Sequence, residues 1–308
     1  MNVPDVTPDL PPRSWRAILA LLGRLPQGAL SRFFGRIADI PLPPPLRRPV
    51  LGAFARAVGI DLAEAELPLE EYPTLNAFFV RRLRQGVREW PSGDDVLASP
   101  VDGVCGQLGE VRDGRILQAK GRWYSAAELL DDETEALRFH GGSFLTIYLS
   151  PRHYHRIHAP CSGGVSSARH VPGALLPVNA AAVAHVPDLF ARNERLICYL
   201  DGPVGRVAVV AVGAYNVGRI SAAFDAGWGG PLGAVAVGAG WATNRQGGQP
   251  GDRHYAPPVS MGAGAELMAF HLGSTVVILT EAGRVDLSSN LSPGVPVRLG
   301  EVVGLATD

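Results

Sequence analysis

The sequence of 308 residues predicts an α+β protein, with an N-terminal helical segment followed by a β-rich, largely antiparallel core. Three observations carry that prediction. Apolar residues at helical spacing are concentrated before about residue 95. Beyond it, short β-branched runs alternate with Gly-rich turns. No strand–helix–strand alternation is present, which argues against a parallel nucleotide-binding sheet. Hydrophobic residues make up 46% of the chain and charged ones 19%, enough for a buried core, while 37 Gly and 26 Pro demand many turns.

Residues 1–13 are Pro-rich and carry no periodic pattern. Ser14–Leu25 is an apolar segment holding Arg16 and Arg24. After Pro26 a second segment sets Leu30, Phe33, Phe34 and Ile37 at helical spacing around Arg32 and Arg36. Proline breaks a helix interior, so two short helices parted at Pro26 are predicted. Arginine-flanked helices bearing Trp15 and Phe33 can lie in a lipid headgroup layer or pack on the domain behind them, and the residues alone leave both open. Pro41–Pro45 reads as a stiff connector. A helix through Leu51–Val58 follows, then one capped by Thr74 that runs through Phe78, Phe79 and Leu83. Strands are predicted at Val104–Val111, Phe144–Leu149, Arg195–Leu200, Arg206–Val212, Thr275–Leu279 and Val297–Gly304. The stretch Gly227–Gly251, rich in Gly, Ala, Asn and Gln, is predicted to be a mobile loop. This divides the chain into a helical region over residues 1–94 and a β-rich domain over 95–308.

With 28 basic and 29 acidic side chains the formal net charge is −1, so no global field draws the protein to nucleic acid or anionic lipid. Lys120 is the single lysine. Cys105, Cys161 and Cys198 lie far apart with no C-x-x-C spacing, which predicts a reducing compartment rather than a disulfide framework. The first residues carry acids and prolines where a signal peptide has a basic region. No window of about 18 uninterrupted apolar residues predicts a spanning helix.

Chemistry concentrates in a few places. The segment Tyr148–His158 gathers His153, His155 and His158, three of the eight histidines, into six positions. A His-x-x-His pair can ligate a metal, but no H-E-x-x-H helix accompanies it, and Ser150-Pro151 upstream disfavours one. Acid–base work is the competing reading, suited to the near-neutral pKa of imidazole. Asp102, between the Ser99-Pro100 turn and a strand, is placed to accept an imidazole N–H, although Asp-Gly is also a plain turn signal. Ser274 follows Gly273 just before a β-branched strand. Its hydroxyl is a nucleophile once a base removes the proton, but read in isolation these letters favour a small-residue turn entering a strand. Lys120 invites a Schiff-base or carrier role and is otherwise a surface lysine.

Taken in order, these residues carry a resemblance. Thr74-Leu75-Asn76-Ala77-Phe78-Phe79-Val80-Arg81, Ser99-Pro100-Val101-Asp102-Gly103 and Lys120-Gly121-Arg122-Trp123-Tyr124-Ser125 come first. The Tyr148–His158 segment, Val171–Asn179, Asn193-Glu194-Arg195, Val212–Gly218 and Leu272-Gly273-Ser274-Thr275 follow. The series, over about residues 70–305, resembles the phosphatidylserine decarboxylase proenzymes of bacteria; each motif alone is weak, the ordered set is specific.

The resemblance implies a self-processing, pyruvoyl-dependent lyase that makes phosphatidylethanolamine and CO2. It implies that Ser274 attacks the Gly273 carbonyl, with His158 as base and Asp102 orienting it as in a protease triad. The resulting ester eliminates to dehydroalanine and hydrolyses to a pyruvoyl group derived from Ser274. The products are a β chain of residues 1–273 and an α chain of 274–308, held as a heterodimer, and the family adds a dimer of such heterodimers. The pyruvoyl carbonyl forms a Schiff base with the substrate amine, and His155 is the implied proton donor after CO2 leaves. Phosphatidylserine in the bilayer is the implied partner, with no nucleic acid and no metal. Peripheral attachment to the cytoplasmic face of the cell membrane is implied for the N-terminal helices. Four departures from the family pattern stand out: Val101 for Ala, His153 for Asp, Ala263 for Lys and Met268 for Gly. The second takes His153 out of the catalytic set. A zinc hydrolase built on His155 and His158, and a carrier built on Lys120, are the alternatives from the residues alone.

Overall fold

The computed structural model describes residues 35–119, 121–214, 220–228, 251–271 and 274–307. The two helices predicted before Pro26 and up to Phe34, the residue Lys120, and the stretch 229–250 of the predicted loop lie outside the described residues. Residues 35–38 are helical, and α1 spans Pro44–Val58. The connector reading of Pro41–Pro45 is therefore half corrected. Pro44 and Pro45 occupy the first turn of α1, where the N–H they lack has no helical partner to lose. Gly59, at φ 81°, ends the helix and donates to Ala55 O. Helix α2 is Leu75–Phe79, capped as predicted by Thr74 Oγ1 accepting from Ala77 N at 2.9 Å, but it stops short of Leu83. Leu51, Ala55, Ile60, Tyr72, Ala77 and Phe78 form the core of this helical region.

The remainder is built on strands. In chain order these are β1 Val96–Ala98, β2 Gly103–Glu110, β3 Arg115–Ala119, β4 Arg122–Ser125, β5 Ser143–Leu149, β6 Arg156–His158, β7 Gly163–Val171 and β8 Arg195–Gly202. They continue with β9 Gly205–Val212, β10 Ile220–Ala222, β11 Gly251–Met261, β12 Glu266–Phe270, β13 Ser274–Thr280, β14 Val285–Leu287, β15 Pro296–Val297 and β16 Val302–Ala306. The main sheet has eight strands in the order β11-β7-β8-β9-β13-β5-β2-β15, and every pairing is antiparallel. Smaller sheets are β10-β12-β6, β1-β16-β14 and the hairpin β3-β4.

The central strands are apolar throughout because both faces of the sheet are covered. Val207, Val209, Ala211, Val276 and Ile278 enter one core with the small sheets. Ala208, Val210, Val212, Val277 and Leu279 enter a second core, closed by helices at Ala126–Leu130 and Ala180–His185. Each fully buried Val, Leu or Ile contributes about 1.5–3 kcal/mol, so β9 and β13 anchor the fold.

Candidate active site

Strand β13 opens at Ser274, whose backbone pairs with Leu149 at the end of β5. The chain leaves β5 through Ser150-Pro151, and a turn closes with His153 N donating to Ser150 O at 3.0 Å. His153 also accepts from Ser150 N at its Nδ1, 3.0 Å, so this ring braces the turn. Phe270 N then donates to His155 O at 2.9 Å. The register on one side and this bond on the other tie the start of β13 to the end of β5 and the end of β12 to the histidine loop. Leu272, Gly273 and the Ser274 side chain lie outside what the structure describes.

His155 is fully buried, its ring against that of Phe79 with centroids 4.0 Å apart. Its Nδ1 lies 2.8 Å from His153 O. A carbonyl only accepts, so Nδ1 carries the hydrogen. The other nitrogen, Nε2, is buried without a partner. Burial first, and then the charge of Arg81, hold the pKa well below the ordinary 6.5. His155 is thus a neutral imidazole with one unengaged lone pair.

His158 sits at the other end of β6, opposite Glu266 of β12. Its Nδ1 donates to Gly264 O at 2.6 Å, and Tyr154 donates its O–H to Nε2 at 2.9 Å. The Tyr154 phenol stays protonated because burial raises its pKa. Burial lowers that of His158, against the opposing pull of the Gly264 bond, Glu266 and Asp102. Gly264 has φ 79°, and a Cβ there would come within 2.8 Å of the Trp90 ring, so the carbonyl that orients His158 needs glycine behind it.

The orienting role expected of Asp102 is where sequence and structure part. Its carboxylate is gripped by Arg88, at 3.0 Å from Nε and 2.6 Å from Nη2, and accepts Leu299 N at 2.8 Å. Arg88 also grips Glu64, and the fork geometry of a guanidinium makes such paired contacts strong. The segments still meet, since His158 N donates to Pro100 O at 2.9 Å. The Gly264 main chain therefore fixes the tautomer of His158, while the Asp102 carboxylate is held by Arg88 and Leu299. Among the described residues no three His, Cys, Asp or Glu side chains converge as metal ligands.

A sequence profile of the phosphatidylserine decarboxylase family matches residues 75–305. The chain belongs to this family. It is 46% identical to a phosphatidylserine decarboxylase proenzyme of Anaeromyxobacter sp. (strain K), over 94% of this chain and 98% of that one. It is 42% identical to the proenzyme of the same name from Myxococcus xanthus (strain DK1622), over 95% and 99%. As a member, the protein is an autoprocessed, pyruvoyl-dependent decarboxylase. The described residues fit such a group: a buried acceptor without a partner, His155 Nε2, lies on the loop that leaves β5, the strand paired with Ser274, and the same residue's carbonyl accepts from Phe270 N.

Arg81, Arg88, Tyr154 and Gly264 were not singled out by sequence reasoning. Arg81 and Tyr154 lie inside quoted motifs, but nothing in their spacing separates a packing residue from a polar contact. Arg88 and Gly264 have no signal of their own.

Proposed function

We propose that Ser274, His158 and Asp102 carry out scission between Gly273 and Ser274, and that His155 moves the proton during decarboxylation of phosphatidylserine. The observation that carries this reading is the register that lays Ser274 beside Leu149 while Phe270 is bonded to His155. In scission the Ser274 hydroxyl proton goes to His158 Nε2 at the expense of the Tyr154 hydrogen bond. Gly264 O keeps the opposite N–H in line, and the charge of Asp102 favours the imidazolium. Oγ adds to the Gly273 carbonyl, and the peptide C–N bond breaks as His158 passes the proton on to the Ser274 nitrogen. Elimination of the resulting ester breaks Cβ–Oγ, frees the Gly273 carboxylate and parts the chains.

The 35 residues 274–308 (308 minus 273) stay in place after scission. Their β13 lies between β5 and β9 of the longer product, and β15 and β16 pair with β2 and β1. Two chains therefore remain one folded unit.

The pyruvoyl group supplies an electron sink for the pair left by departing CO2. His155 supplies the proton traffic. Its lone pair at Nε2 first takes a proton from the substrate ammonium, freeing the amine, and then returns it to the carbon that loses the carboxylate. A neutral imidazole suits that order better than one already charged. The test is the intact-mass spectrum of freshly purified wild-type protein. Two chains are expected, the shorter beginning at residue 274 with a carbonyl that hydroxylamine traps. One unbroken chain without that carbonyl would end this reading.

We also infer peripheral attachment to the cytoplasmic face of the cell membrane. No helix among the described residues is long and apolar enough to cross a bilayer. Ile37, Ile40, Leu46 (49% exposed) and Val50 (41%) leave apolar surface next to Arg47 and Arg48 at the start of the helical region. Leu46→Glu with Val50→Glu is expected to weaken binding to anionic vesicles about tenfold to hundredfold, read by cosedimentation. Unchanged binding would make these side chains ordinary surface.

A further inference from the structure

Among the described residues, Arg81, Arg88, Arg156, Arg195 and Arg206 have buried or largely buried side chains and are, with one exception, fully spent. Arg88 holds Asp102 and Glu64, Arg156 holds Glu266, and Arg206 holds Asp201 and Glu135. Arg195, without a carboxylate, donates to the carbonyls of Leu129, Glu128, Ala191 and Asn193. Arg81 is the exception. It is 3% exposed, yet Nε and Nη1 have no partner, and Nη2 reaches only Arg152 O at 3.5 Å. Its guanidinium lies 5.6 Å from the Phe78 ring centre. A guanidinium does not escape by deprotonation, and removing such a charge from water without a partner costs several kcal/mol.

The position of this charge narrows its purpose. Arg81 follows Phe79, whose ring lies on His155, and Val80 O accepts from Arg156 Nε, so this segment lines the histidine loop. Among the described residues, Arg81 and His155 are the two whose buried side-chain nitrogens lack partners. One offers N–H donors with a positive charge; the other offers a lone pair. Together they match a ligand that carries an anionic oxygen and an N–H group, as an amino-acid phosphodiester does.

We propose that Arg81 receives the phosphodiester of the substrate headgroup while His155 Nε2 faces its amine, an inference that rests on the decarboxylase reading above. The substrate also has a carboxylate, but that is the wrong anion. Its charge disappears as CO2 leaves, so pairing it with a guanidinium would stabilise the ground state over the transition state. The phosphodiester keeps its charge throughout, and holding it strengthens binding without slowing the reaction.

The test uses processed enzyme and dispersed short-chain phosphatidylserine, with glycerophosphoethanolamine and ethanolamine as competing probes. In wild type the phosphodiester probe is expected to compete better than the free amine. Arg81→Gln is expected to raise KM about tenfold to hundredfold with kcat within a few-fold, and to erase that preference. Arg81→Lys, which keeps the charge but not the fork, should restore part of both. Unchanged KM and preference would overturn the proposal, as would a fall in kcat at constant KM, which assigns Arg81 to the reacting carboxylate. If Arg81→Gln does not mature, the probe comparison on Arg81→Lys decides, since its preference must fall. Wild-type turnover in the same assay tests the decarboxylase reading separately.

Discussion

Ser274→Ala is expected to remain one uncleaved chain with no measurable decarboxylation. Alanine has no hydroxyl to add to the Gly273 carbonyl, so no ester forms and no carbonyl arises at residue 274. Losing the electron sink removes the route by which the carboxylate departs, a larger effect than losing any group that only assists it. The fold should not suffer. Ser274 is the first residue of β13, and the strand is secured by Val276, Val277, Ile278 and Leu279, all buried between two cores. Gel migration reports scission, CO2 release reports turnover, and a thermal melt shows that the β-sheet is intact. Cleavage at Gly273 in this variant would refute the assignment of the nucleophile.

The fold was legible where packing imposes a strong pattern. Strands β9 and β13 are buried on both faces, which forces continuous β-branched sequence, and they were predicted to within a residue or two. Strand β11 was not predicted, because it is the edge of the main sheet. Its residues are mostly exposed, and it carries Pro257 and Pro258 in a break of register between His254 and Val259. Prolines are tolerated at such an edge and conceal the strand from pattern reading. Val297–Gly304 splits in two because the chain turns at Gly300, with φ 83°.

The site was legible as chemistry and not as contacts. Ser274, His155, His158 and Asp102 follow from motif order, but which atom each ring nitrogen touches depends on partners far away in sequence. Gly264 O and Arg88, 106 and 14 positions from the residues they serve, illustrate the point. A sequence pattern names the acid that stands near a histidine. It does not say that a nearby arginine holds that acid while a backbone carbonyl holds the ring.

His155→Ala is expected to cut and then to turn over poorly, by about 10²- to 10⁴-fold, the usual contribution of a positioned proton carrier. Scission should survive because His158, on the far side of β6, keeps both of its ring contacts. Removing a buried ring also leaves a cavity beside Phe79. His155→Asn, whose amide can still donate to His153 O, therefore serves as the packing control and should be equally slow. The pH dependence separates a carrier from a filler. The pKa of His155 is depressed in the folded protein, so the unfolded chain binds the extra proton below the ordinary value of 6.5. Stability contributed by the neutral ring is present above that pH and is lost as pH falls through it. Both variants should show a shallower loss of Tm under acid than wild type, although His153 and His158, also depressed, retain part of it. Wild-type kcat/KM should hold its plateau to below pH 6.5 before the imidazole charges. Full turnover in either variant removes His155 from the reaction, whereas a block in scission moves it to processing.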